Sequence, residues 1–198
     1  MTQPQDVYLT VAFDADQVSD QLVHKFTSPD GSVPVHPSGL YEAEIYFCEG
    51  EVFHLRVLGG GRQDRFTSFQ IVDCCLLTLP RVVSAGGNAT VRYAPPSPFL
   101  QPVGASYQMA LDFTTSAVDD HDKRYRLVTQ EWKRTLNVGT AHGRWELSLT
   151  VTVRIFRGDQ LQPDIRVFSF DPEGQVGSGR GDEGGTRGVG HPLALASD

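Results

Sequence analysis

A chain of 198 residues with a formal net charge of −7 lacks the cationic face that general binding to nucleic acid or to an anionic membrane requires. Its 39% apolar content is depressed by a glycine-rich C-terminus, so the remainder is ordinary globular material with enough apolar residues for one sizeable core. No apolar run reaches the length of a membrane span, the first residues lack the basic and apolar regions of a secretory signal, and three cysteines, two of them adjacent, suit a reducing compartment, so a cytoplasmic location is expected.

The first predicted strand covers residues 7–13, with Val7, Leu9, Val11 and Phe13 on one face, and Asp14-Ala15-Asp16 ends it. Residues 17–40 read as a long loop with a short helical piece over 18–26, because Pro29, Gly31, Pro34, Pro37 and Gly39 exclude a long element. Loops of that length in compact domains are often functional. Strands over 42–48 and 52–58 follow, joined by Glu49-Gly50-Glu51 as a tight hairpin, and Gly59-Gly60-Gly61 is expected to break the sheet.

The apolar run within 66–79, densest at Cys74, Cys75, Leu76, Leu77 and Leu79, implies burial on both faces or a turn into the core. Further strands are predicted over 89–93 and 107–113, the latter with Tyr107, Met109, Leu111 and Phe113 in phase. A charged loop, Asp119-Asp120-His121-Asp122-Lys123, leads into a strand-like segment over 124–138.

The strongest pattern lies at 144–173. Trp145, Leu147, Leu149, Val151, Val153 and Ile155 alternate without a break with polar residues, and a second strand over 165–170 stops at Asp171-Pro172, which together make a hairpin. The expected fold is all-β, a two-sheet antiparallel β-sandwich of about nine strands, with a closed barrel as the alternative. The domain spans residues 1–176, and the Gly-rich tail, 177–198, is expected to be disordered because it offers too little apolar surface to offset its backbone entropy.

Candidate chemistry is sparse. Gly179-Arg180-Gly181-Asp182-Glu183-Gly184 matches a dinucleotide fingerprint formally, but no strand delivers it and no helix follows. Asp119, Asp120 and Asp122 are weak candidates for a hard cation such as Ca²⁺, and Asp14, Asp16 and His121 are candidates for a binding surface, although a solvated acidic loop explains them as well. The cysteines lack zinc spacing, and Cys74 and Cys75 point to opposite faces if extended. No serine elbow or activated cysteine is present, and the six histidines are scattered, with His54 on a strand where a face-lining role is expected. Trp132, Trp145, Tyr93, Tyr107 and Tyr125 either plug the core or line an aromatic groove.

Two stretches carry a family pattern. Arg166-Val167-Phe168-Ser169-Phe170-Asp171-Pro172-Glu173, after its alternating strand, and Leu9-Thr10-Val11-Ala12-Phe13-Asp14-Ala15-Asp16 resemble the last and first strands of the bacterial PixA/AidA inclusion-body proteins. The resemblance implies a compact bacterial β-sandwich that self-associates or accumulates in inclusions, and it transfers no functional residue. The expected role is therefore non-enzymatic, through self-association or a protein partner, with no cofactor, nucleic acid or membrane. The alternative from another class is a module for a small molecule or carbohydrate, Ca²⁺-dependent, using residues 17–40 and the acidic loop.

Overall fold

The computed structural model describes residues 5–31, 45–47, 49–80, 82–83, 92–101, 105–119, 124–141, 143–158, 160–170 and 173–176. Among them there is no helix. The extended segments are, in chain order, β1 (Asp6–Asp14), β2 (Val23–Thr27), β3 (Ile45–Phe47), β4 (Val52–Arg62), β5 (Ser68–Pro80), β6 (Val82–Val83), β7 (Arg92–Tyr93), β8 (Ser106–Gln108), β9 (Phe113–Asp119), β10 (Tyr125–Trp132), β11 (Leu136–Asn137), β12 (Gly143–Phe156), β13 (Asp164–Phe170) and β14 (Glu173–Val176). They exceed the nine expected because several are pieces of two to four residues.

Two six-stranded sheets form the sandwich. The first runs β2-β1-β4-β10-β9, with β11 also on β4; the second runs β3-β14-β12-β5-β8, with β13 also on β12. Most pairs are antiparallel, but β1 and β4 pair in parallel from Asp6↔Val52 to Asp14↔Gly60, and so do β14 and β3. Alternation decides what meets in the middle. Val7, Leu9, Val11 and Phe13 of β1 and Phe53, Leu55 and Val57 of β4 face Leu147, Leu149, Val151, Val153 and Ile155 of β12. Phe13 joins the layers, stacked on Phe168 at 4.7 Å and edge-on to Phe69 at 5.1 Å. The buried Gln130 amide donates to the Phe69 carbonyl at 2.7 Å, so its burial leaves no orphan donor there.

Gly59-Gly60-Gly61 does not break the sheet; β4 continues through it to Arg62. A Cβ at Gly59 would sit 2.6 Å from the Phe69 ring and 2.8 Å from that of Phe13, one at Gly60 2.6 Å from the Tyr125 hydroxyl, and one at Gly61 2.5 Å from Cβ of Phe66. The three glycines are the floor on which four aromatic side chains lie.

Other expectations are corrected by pairing partners that local signals do not reveal. Residues 18–26 are not helical: β2 pairs with β1 through Leu9↔Phe26 and its neighbours. Glu49-Gly50-Glu51 closes no hairpin, because β3 belongs to the second sheet and β4 to the first; Gly50, at φ +81°, turns the chain between them and donates to the Val138 carbonyl at 3.1 Å. The run in β5 buries one face rather than two. Its phase slips where Thr152↔Asp73 is followed by Val153↔Ile71, a bulge that restores Cys74 and Leu76 to the core and leaves Cys75 and Leu77 on the outer face.

Residues 107–113 form no single strand, since β8 ends in the second sheet and β9 begins in the first, with buried Met109 and exposed Leu111 on the crossing. Of 89–93, only the last two residues are described as strand, paired with β6. The hairpin of β12 and β13 is as expected, but Asp171-Pro172 does not end the sheet: β14 resumes pairing with β12, Glu146↔Glu173. The tail, 177–198, lies outside the described residues.

The sandwich is sealed along β13 by the β1–β2 connection. Leu22 N–H donates to Ser169 C=O at 2.8 Å and Ser169 N–H to Asp20 C=O at 2.9 Å. Arg166 holds the same connection through the carbonyls of Gln17 at 2.5 Å and Ser19 at 3.0 Å.

Candidate functional site

The acidic candidates do not converge. As β1 leaves the first sheet, Asp14 caps its own turn, its carboxylate accepting from the Asp16 N–H at 2.7 Å. The other oxygen accepts a hydrogen bond from the Tyr125 hydroxyl, which reaches over Gly60; burial first, then the carboxylate beside it, hold that phenol well above its usual range. Asp16 pairs with Arg157 at 2.7 Å, and Arg157 also donates to Asp164 at 2.8 Å and to the Ala15 carbonyl at 2.8 Å. Asp16 thus fastens the β1–β2 connection to the β12–β13 end of the second sheet through Arg157, while Asp14 is engaged within the first sheet, by its own turn and by Tyr125 of β10.

Asp119 ends β9 and is exposed. Its row across the sheet reads Asp14, Gly60, Leu127, Asp119, so three strand spacings, about 14 Å, separate it from Asp14. Asp120, His121 and Asp122 lie outside the described residues. Among the described residues no group of three His, Cys, Asp or Glu side chains could hold a metal ion.

The remaining candidates resolve into packing. Trp132 and Trp145 are buried, their indole N–H groups bonded to Ala110 C=O at 2.9 Å and Pro95 C=O at 2.6 Å, and Tyr107 meets Trp132 edge-on at 6.2 Å. Tyr93 is exposed and Tyr125 belongs to the Asp14 contact, so the five rings line no common groove. Cys74 is buried with its thiol 3.5 Å from the Met109 sulfur, and burial pushes its pKa far up, which keeps it an inert thiol. Cys75 faces the other way, 3.4 Å from the Ser106 hydroxyl; Cys48 lies outside the described residues.

A solvent-side cluster that the sequence reading missed lies on the outer face of the first sheet. His54 stacks on Tyr8 at 4.6 Å and meets Asp6 at 3.0 Å, while Arg56 covers the same Tyr8 ring at 4.0 Å and bonds Glu131 at 2.5 Å. The signal was the polar phase of two alternating strands, but only the parallel register of β1 with β4 brings Tyr8 and His54 side by side. Each carboxylate of the cluster holds one basic side chain, Asp6 that of His54 and Glu131 that of Arg56, and the cluster contains no serine, cysteine or lysine.

The sheet margins differ from this tied-down interior. β9 pairs with β10 on one side only among the described residues, and six of its seven residues are exposed. Residues 113–118 carry no charge. Such a strand offers unpaired backbone donors and acceptors to another chain.

No protein-family model, curated protein or solved structure matches the chain. Among the described residues no helix is long and apolar enough to cross a membrane.

Proposed function

We propose that this protein is a non-enzymatic bacterial β-sandwich of the cytoplasm that works by self-association or by docking a protein partner. The observation that carries the reading is the margin of the first sheet at β9, which among the described residues pairs on one side only, is uncharged over 113–118 and is exposed along most of its length. The terminal-strand resemblance to PixA/AidA inclusion-body proteins points the same way. The polar side chains that looked most chemical, Asp14, Asp16, Tyr125 and Arg157, support it from the other side, because their hydrogen-bonding capacity is directed into the fold.

Sedimentation velocity and native mass spectrometry of the full chain over a concentration series test the reading. A defined multiple of the 21.8 kDa mass supports it. A strict monomer that captures no partner overturns it, and a monomer carrying a discrete extra mass replaces it with ligand binding.

A further inference from the structure

We infer that the partner of β9 is β9 of a second copy, the two edges pairing antiparallel about a two-fold axis so that the first sheet continues across the dimer. The inference rests on the self-association reading above and names its surface.

The other margins carry the devices that discourage pairing. β2 bears Lys25 and His24, β3 and β8 are three residues each, and the outer side of β13 is occupied by residues 20–22. β9 has six residues without charge before Asp119. Its one irregularity is a bulge at Ser116, since Thr129↔Ala117 is followed by Gln130↔Thr115.

Face matching then selects the register. Opposite Trp132, Gln130 and Val128, whose side chains are buried, Phe113, Thr115 and Val118 take the core face, while Thr114, Ala117 and Asp119, opposite Glu131, Thr129 and Leu127, take the outer one. An antiparallel pair keeps each face continuous only if like meets like. Phe113 then lies opposite the partner's Val118, Thr114 opposite the partner's Ala117, and the axis passes between Thr115 and Ser116. Exposed Val118 gains half-buried Phe113 as a cross-strand neighbour.

Charge completes the match. In this register Asp119 falls opposite the partner's Asp112, and in each copy that carboxylate stands between two cations, Lys133 at 3.8 Å and Arg134 at 3.9 Å. One carboxylate leaves a positive excess there, and Asp119, for which the described residues supply no cation, brings the second. The two-fold repeats this at both ends and then closes, so assembly through β9 stops at a dimer.

Sedimentation velocity of the full chain and three variants tests this, with far-UV circular dichroism and thermal midpoint confirming that each variant folds. The wild type is expected to approach twice the monomer mass as concentration rises. Val118→Lys, at an exposed position opposite Phe113, is expected to stay monomeric and to keep the midpoint that the wild type shows at concentrations where it too is monomeric. Asp119→Lys is expected to weaken the dimer by about thirtyfold at most, the range of two exposed charge pairs, one at each end, and Lys133→Asp added to it to recover that loss. A wild-type dimer that Val118→Lys leaves intact, or assembly that continues past the dimer, overturns the β9 interface while leaving self-association standing. A wild type that remains monomeric overturns both.

Discussion

Single residues in this protein are set by what they must leave room for. Gly61 and Gly158 make the contrast: a Cβ at Gly61 meets Cβ of Phe66 at 2.5 Å, an atom that cannot swing away, whereas one at Gly158 first meets the Thr67 hydroxyl at 3.8 Å. Gly61→Ala is therefore expected to lower the urea-unfolding free energy by about 1–3 kcal/mol, the usual penalty for overpacking, and Gly158→Ala to change it little. His24 gives a second test. Its ring stacks on Phe170 at 5.2 Å, and desolvation lowers its pKa from the ordinary 6.5. Above pH 6.5 the imidazole is neutral in folded and unfolded chains alike, so it makes no difference. Below it the unfolded chain takes up a proton that the folded one refuses, and stability falls with pH until the folded pKa is passed. The thermal midpoint is expected to drop as pH falls from neutrality towards 5, and His24→Gln to flatten that slope. Neither residue announced itself in the sequence: a glycine run in a strand and a glycine run in a turn look alike until the aromatic rings above them are known.

Elements tell the same story about what was legible. The alternation of β1 and β12 identified both buried faces, because a strand packed on one side writes its environment into every second residue. Pairing partners were another matter. Glu49-Gly50-Glu51 has hairpin composition, yet the strands on either side of it belong to different sheets, a choice made by β14 and β1 far away in sequence. Asp14 and Asp16 were singled out for their charge, and the structure brings both to one turn, but the residues that engage them, Tyr125 and Arg157, lie more than a hundred positions on. The strap between β1 and β2 can be probed directly. Arg166→Gln removes the guanidinium that holds the Gln17 and Ser19 carbonyls, and hydrogen exchange at the Leu22 and Ser169 amides is expected to speed up while β1–β4 amides keep their protection. Arg157→Met cuts deeper, since that side chain is only 14% exposed and bridges Asp16, Asp164 and the Ala15 carbonyl; a loss of about 1–3 kcal/mol in urea unfolding is expected.

At the scale of the whole molecule, the two sheets depend on each other through their aromatic core and through this strap, so the sandwich is expected to melt as one unit, with near- and far-ultraviolet dichroism changing together. A chain ending at residue 163 loses Phe168 and Phe170 from the core and the ladder that holds residues 20–22, and is expected to show no cooperative transition at all. That dependence has a consequence for how the protein is made. The segment that seals β13 is synthesised within the first 22 residues, and its partner Ser169 arrives about 150 residues later. At an elongation rate of about 5–20 residues per second, residues 20–22 wait on the order of ten seconds before the edge they cover exists. Until β12 and β13 are made, the core faces of β1 and β4 lack the residues they pack against in the finished sandwich, so completion of the core is timed by synthesis of the last third of the chain.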